Sequence, residues 1–200
     1  STITLTDRFS LSGGAILVGT VVGNATKTIQ GGRLTSGLLA ATIPQSEWSY
    51  YSDVPLNPLA TLRNYDLIVH NYNPAGSFNI ASVIRDNPLD APKDINENDR
   101  FHPVSFVHAG DGTTTLSGSN VYTGTTYVNS GTIVLNNAQA LPGGIGSTGG
   151  QSHLRFDGGV IGLGTSAAFT RSLGSSRAQV QWAGSGGFAA YGGNRVGNLG

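Results

Sequence analysis

Asp94, Asn96 and Asn98 fall at alternate positions in the run Asp94-Ile-Asn-Glu-Asn-Asp99, as the first, third and fifth ligands of a calcium loop do. The sixth position of such a loop needs a turn glycine and is Asp99 here; the twelfth needs a bidentate glutamate and is Ser105. Half the signature is missing, and a polar solvated loop accounts for the same residues. A second constellation joins Trp48, Tyr50 and Tyr51 to the nearby Glu47 and Asp53. Aromatic faces stack on sugar rings, and paired carboxylates hydrolyse glycosides. Carboxylate pairs are assembled by a fold rather than by closeness in sequence, so the plainer reading is an aromatic staple pinning an excursion loop. The histidines, His70, His102, His108 and His153, show no zinc-ligand spacing and read as polar surface residues. There is no Gly-x-Ser-x-Gly elbow and no cysteine nucleophile. Gly184-Ser-Gly-Gly lacks the lysine and helix of a phosphate loop. The sequence thus assigns no catalytic residue and no cofactor beyond a calcium ion at the acidic run.

Whatever positions these residues is built from strands. Glycine supplies 30 of the 200 residues, and charged residues are only 11%, which is poor material for long soluble helices. Threonine, serine, asparagine, valine and isoleucine between glycines suit short strands and tight turns. Net charge is zero, so no basic surface is available to neutralise a nucleic acid backbone. No run of 18 apolar residues marks a membrane-spanning helix, and no recurring alternating segment with aromatic girdles marks an outer-membrane barrel. Cysteine and methionine are both absent, which suits an oxidising, extracellular setting. With no signal peptide ahead of Ser1, the chain reads as a mature or excised piece of something longer.

The organisation is one segment, 1–200, with irregular excursions near 38–64 and 86–103. The second of these holds three prolines and seven of the 22 charged residues. Glycine-led apolar runs begin at Gly13, Gly31, Gly131, Gly158 and Gly186, the last three spaced by 27 and 28 residues. Such irregular periods fit stacked coils of short strands in which loops lengthen without disturbing the stack. Alternation then sends Val128, Ile133 and Leu135 into the core. An antiparallel β-sandwich is the competing architecture.

Residues 116–135 narrow the choice. Leu116, Gly118, Asn120, Tyr122, Gly124, Thr126, Val128, Gly131, Ile133 and Leu135 reproduce in order the pattern of the autotransporter-associated β-strand repeat, also called the passenger-associated transport repeat, which this stretch resembles. Ala138-Gln-Ala-Leu-Pro-Gly-Gly resembles the linker that follows the repeat, and the stretch from Trp182 resembles large, planctomycete-like bacterial surface proteins. Asp66–His70 and Phe78–Ile84 look like the coils leading in. One departure is Thr114, where the repeat's pattern has an inward leucine, and a less well packed coil is expected there. The resemblance implies an all-β, right-handed parallel β-helix (a solenoid) in an exported passenger, with no catalytic residues to carry over. The expected role is a structural or adhesive element at the bacterial cell surface: a stalk, sheath or filament. Its expected partners are neighbouring coils of the same chain or identical subunits, and surface glycans. The alternatives are a carbohydrate-binding or carbohydrate-active β-helix and a self-assembling surface-layer subunit.

Overall fold

The computed structural model describes residues 1–37, 64–88, 101–146 and 151–200. In chain order the first strands are β1 (Thr2–Leu11), β2 (Ala15–Val18), β3 (Lys27–Ser36), β4 (Tyr65–Asn71), β5 (Ser77–Ile80) and β6 (Val83–Ile84). They are followed by β7 (Asn87–Pro88), β8 (Phe101–His102), β9 (Val104–Ala109), β10 (Thr113–Leu116), β11 (Thr126–Val128) and β12 (Thr132–Leu135). The last are β13 (Leu154–Phe156), β14 (Val160–Leu163), β15 (Phe169–Thr170), β16 (Val180–Trp182), β17 (Gly187–Ala190) and β18 (Gly197–Asn198). Among the described residues the only helix is a single 3-10 turn, Thr20–Val22, and no helix is long and apolar enough to cross a membrane.

Two sheets carry the structure. One runs β1-β3-β5-β10-β12-β14-β17, with β6 also on β3; the other runs β2-β4-β9-β11-β13-β16. From β9 to β17 the chain visits the two sheets in alternation, each strand pairing in parallel with the one holding the same place a circuit later, except that β15 lies in neither and pairs in parallel with β18. Parallel pairing sets aside the antiparallel sandwich; the fold is all-β and consistent with a β-helix.

The registers turn the alternation of apolar residues into interior columns. In the first sheet Phe78, Thr114, Ile133, Ile161 and Phe188 stack in one column, and Ile80, Leu116, Leu135 and Leu163 in the next. In the second sheet the columns are Leu67-Phe106-Thr126-Leu154-Val180 and Val69-His108-Val128-Phe156-Trp182. Val128, Ile133 and Leu135 are fully buried, as their alternation predicts. Each such side chain contributes about 1.5–3 kcal/mol by leaving water.

Corners of three or four residues, 110–112, 129–131, 157–159 and 183–186, lead from the second sheet to the first. Gly131 shows why a glycine is needed there. Its φ is +61°, and a β-carbon would collide with the carbonyl oxygens of Gly110 and Gly112 in the preceding corner. The 55 residues from Gly131 to Gly186 equal the two ladder steps from Thr132 to Val160 and on to Gly187, of 28 and 27 residues, although Gly158 stands one residue further ahead of its strand than the other two glycines.

Residues 38–63 and 89–100, which make up most of both expected excursions, lie outside the described residues. The ends of the second differ from a solvated loop. Asp86 and Asn87 are buried, and β7 pairs antiparallel with β8 through Asn87–His102 and Pro88–Phe101. The carboxylate of Asp86 is drawn inward by backbone N–H groups that need an acceptor.

Candidate functional site

The repeat segment is where the most side chains meet. Leu116, Tyr122, Thr126, Val128, Ile133 and Leu135 are all fully buried. Asn120, itself buried, spans three levels of the stack: its Oδ1 accepts from Ile84 N at 2.9 Å and its Nδ2 donates to Ala140 O at 2.8 Å. One of these groups belongs to β6 and the other to the turn after β12, so one side chain ties a strand to a loop and satisfies a backbone donor and a backbone acceptor together. Gly118 and Gly124 press against the backbone of Ser82 and of Val104-Ser105, where a β-carbon has no room. Together with Gly131, all ten motif positions are taken up either by the interior or by close backbone contact.

Two polar seams run through this interior. Asn71 Nδ2 donates to Thr114 Oγ1 at 3.3 Å and to Thr113 O at 2.9 Å. Thr114 Oγ1 lies 2.9 Å from His108 Nε2, and His108 Nδ1 lies 2.8 Å from Ser130 O. The carbonyl can only accept, so Nδ1 carries the proton; Nε2 then accepts from the Thr114 hydroxyl, which in turn accepts from Asn71. The direction is consistent along the whole seam. Burial holds His108 below the ordinary histidine pKa. His108 is therefore not the surface histidine expected from sequence: it and Thr114 occupy facing column positions in the coil of β9 and β10. Thr114, in the place of the repeat's inward leucine, is fully buried and closes a hydrogen-bonded seam. A hydroxyl and an imidazole at this distance resemble a nucleophile and its base, yet both side chains have zero exposed surface, and the imidazole's second nitrogen is bound to a carbonyl rather than a carboxylate.

The second seam crosses the other side of the stack. Tyr122 Oη and Thr126 Oγ1 are 2.7 Å apart, and Thr126 Oγ1 and Ser152 Oγ 3.0 Å. Ser152 Oγ donates to Gly124 O at 2.6 Å. Burial pushes the Tyr122 phenol up to about 12, so it stays protonated. Beside it Arg171, 2% exposed, donates from Nη1 to Ser152 O and from Nη2 to Gly144 O, each at 2.6 Å. Burial brings its pKa down to about 10, and carbonyl dipoles stand in for a carboxylate counter-ion among the described residues. Asp86 clamps a further edge: its Oδ1 accepts from Val104 N and Thr123 N at 2.8 and 2.9 Å, and its Oδ2 accepts from Thr123 Oγ1 at 2.8 Å.

Trp48, Tyr50 and Tyr51, and the calcium candidates Asp94, Asn96 and Asn98, lie outside the described residues. The other histidines are partly exposed. His153 Nε2 bonds to Gly174 O at 3.2 Å, and burial holds this imidazole too below its ordinary pKa. Sequence reasoning missed Asn71, Asp86, Ser152 and Arg171. Arg171 carried one signal, a lone cation after the low-polarity run Ala167-Ala-Phe-Thr; the other three are ordinary polar residues until the register is known.

No curated protein and no solved structure matches the chain. Residues 106–135 match the family model of the passenger-associated-transport-repeat, from within β9 to the end of β12, so this part of the chain is such a repeat and its type points to an autotransporter passenger.

Proposed function

We propose that the chain is a stretch of right-handed parallel β-helix within an exported passenger, acting as a stiff, non-catalytic structural or adhesive element at the bacterial surface. The observation that carries this reading is the use of all ten motif positions for stacking. Every motif position that carries a side chain is buried. Parallel crossovers between strands of one sheet are overwhelmingly right-handed, which supplies the hand. The role needs no metal or other cofactor, and calorimetric titration with calcium should give no heat and no change in melting temperature. Small-angle scattering tests the stiffness: the expected particle is elongated, with circular dichroism dominated by β signal, and a spherical or helical particle would refute it.

Self-assembly is a second reading with its own observation. The outermost described strands, β1 and β2, expose Ile3, Phe9 and Leu17, and edge strands of this kind pair readily with another chain. Concentration-dependent scattering would separate an assembling subunit from an isolated stalk element.

A further inference from the structure

Two arginines stand opposite each other on neighbouring strands, and a third lies on the next strand, displaced along it by two residues. Arg8 of β1 stands directly opposite Arg33 of β3. Arg33 pairs in turn with Val83 of β6, and Arg85 follows two residues on, its N–H bonded to Leu34 O at 3.0 Å. Leu34 and Ile84 are fully buried, and the residues next to them, Arg33 and Arg85, are exposed and half-buried respectively, Arg85 with its Nε buried. Arg8 joins them as the partner of Arg33. Neighbouring strands lie about 4.8 Å apart, and like charges directly opposite one another destabilise a sheet.

The local backbone produces this pairing rather than avoiding it. Thr2 to Leu5 pair with residues 26 further along, but Arg8 to Leu11 pair with residues 25 further along. Had the first offset continued, Arg33 would face Asp7, an opposite charge. A bulge between Leu5 and Arg8 shifts the register, and Gly31 and Gly32, at φ +69° and +43°, accommodate it. Bulges re-aim side chains, and this one replaces a salt-bridge pairing by an arginine pair. Among the described residues none of the three makes an ion pair. The Asp86 carboxylate beside Arg85 is bonded on both oxygens to Val104 and Thr123. Arg33 and Arg8 both disfavour the charge on Arg85, after desolvation the largest effects on it. The Arg85 guanidinium is held 5.3 Å from the centre of the Phe101 ring.

We propose that Arg8, Arg33 and Arg85 form a binding strip for a linear anionic polysaccharide carrying carboxylate or sulfate groups. Guanidinium forks match both anions in two-point contact, and an opposed pair with a third guanidinium set diagonally on the next strand suits a polymer with charge on successive units. Gln30 and Thr4, hydrogen-bonded at 3.2 Å on the same outward face, supply an amide and a hydroxyl for the sugar's own hydroxyls. A chain of zero net charge has too few cations for a duplex, whose affinity comes from neutralising many phosphates. The strip depends on the register and not on the stalk role.

The test is binding of the folded chain to immobilised dextran sulfate and polygalacturonate, with uncharged dextran and duplex DNA for comparison. Retention on a charged polysaccharide but not on dextran is expected. Arg8→Gln and Arg33→Gln should each weaken it about tenfold and lower the salt slope by about one, while the distant, exposed Arg177→Gln leaves it unchanged. Arg8→Glu gives Arg33 an opposite charge, and should abolish retention while raising the melting temperature. The proposal is overturned if the wild type binds no better than to dextran, if Arg177→Gln loses as much as Arg33→Gln, if duplex DNA binds more tightly than both polysaccharides, or if Arg8→Glu lowers the melting temperature.

Discussion

Thr114→Val exchanges one buried hydroxyl for a methyl of nearly the same shape, and should destabilise the protein by about 1–3 kcal/mol. Apolar transfer alone points the other way, with a gain of about 0.8 kcal/mol for the added carbon. Against that, His108 Nε2, with Nδ1 already bonded to Ser130 O, loses its only donor, and an unsatisfied buried acceptor costs about 1–3 kcal/mol. Asn71 Nδ2 loses its 3.3 Å bond but keeps Thr113 O, a smaller loss of about 0.5–1 kcal/mol. The double variant His108→Leu/Thr114→Val makes both positions apolar and should recover at least about 1 kcal/mol of the summed single losses as coupling. Urea unfolding followed by circular dichroism at pH 8 measures all four corners of the cycle. The same series at pH 5.5 adds a second readout. Folding keeps His108 neutral and lowers its pKa, so the unfolded chain takes up the proton. Stability is then full above the ordinary value of about 6.5 and falls as pH drops below it toward the lowered folded pKa. His108→Leu should remove most of that fall, leaving the share due to His153, whose pKa is also lowered. A Thr114→Val protein as stable as the wild type, a coupling within about 0.5 kcal/mol of zero, or stability that rises on acidification would refute the seam.

Other substitutions test other joints of the stack. Asn120→Ala leaves Ile84 N and Ala140 O unpaired and should cost about 2–4 kcal/mol, read as a lower urea midpoint. Gly131→Ala forces a side chain into left-handed backbone against two carbonyls; about 2–4 kcal/mol is expected, and thermal melts would show it. Arg171→Met strands the Ser152 and Gly144 carbonyls and should lose about 2–4 kcal/mol, since removing a buried charge offsets only part of that loss. Limited proteolysis should then cut first between 142 and 152.

The repeating layout was legible because it is local. The glycines at 131, 158 and 186 mark corners, and the alternation around Ile133 and Leu135 states which face is inward. Asp66–His70 and Phe78–Ile84 were readable as leading coils for the same reason, and β4 and β5 do pair with β9 and β10. The polar interior was not legible. His108 reads as a surface residue, and Thr114 as a poor substitute for an inward leucine, until two strands of one coil are folded face to face. Their partner Asn71 arrives from 42 and 43 residues away from Thr113 and Thr114. Asp86 sits at the start of a charged run and reads as solvated, whereas distant N–H groups at Val104 and Thr123 bury it. The pairing of Arg8 with Arg33 depends on a one-residue change of offset at a bulge, which no local pattern announces.

Successive strands stack in parallel, in register, with the repeat's side chains between them. Nuclear Overhauser contacts between labelled strand residues measure this directly. The account predicts contacts joining Thr113 to Thr132, Leu116 to Leu135 and Leu135 to Leu163. Contacts joining Thr113 to Leu135 and Leu116 to Thr132, the antiparallel pattern, would contradict it.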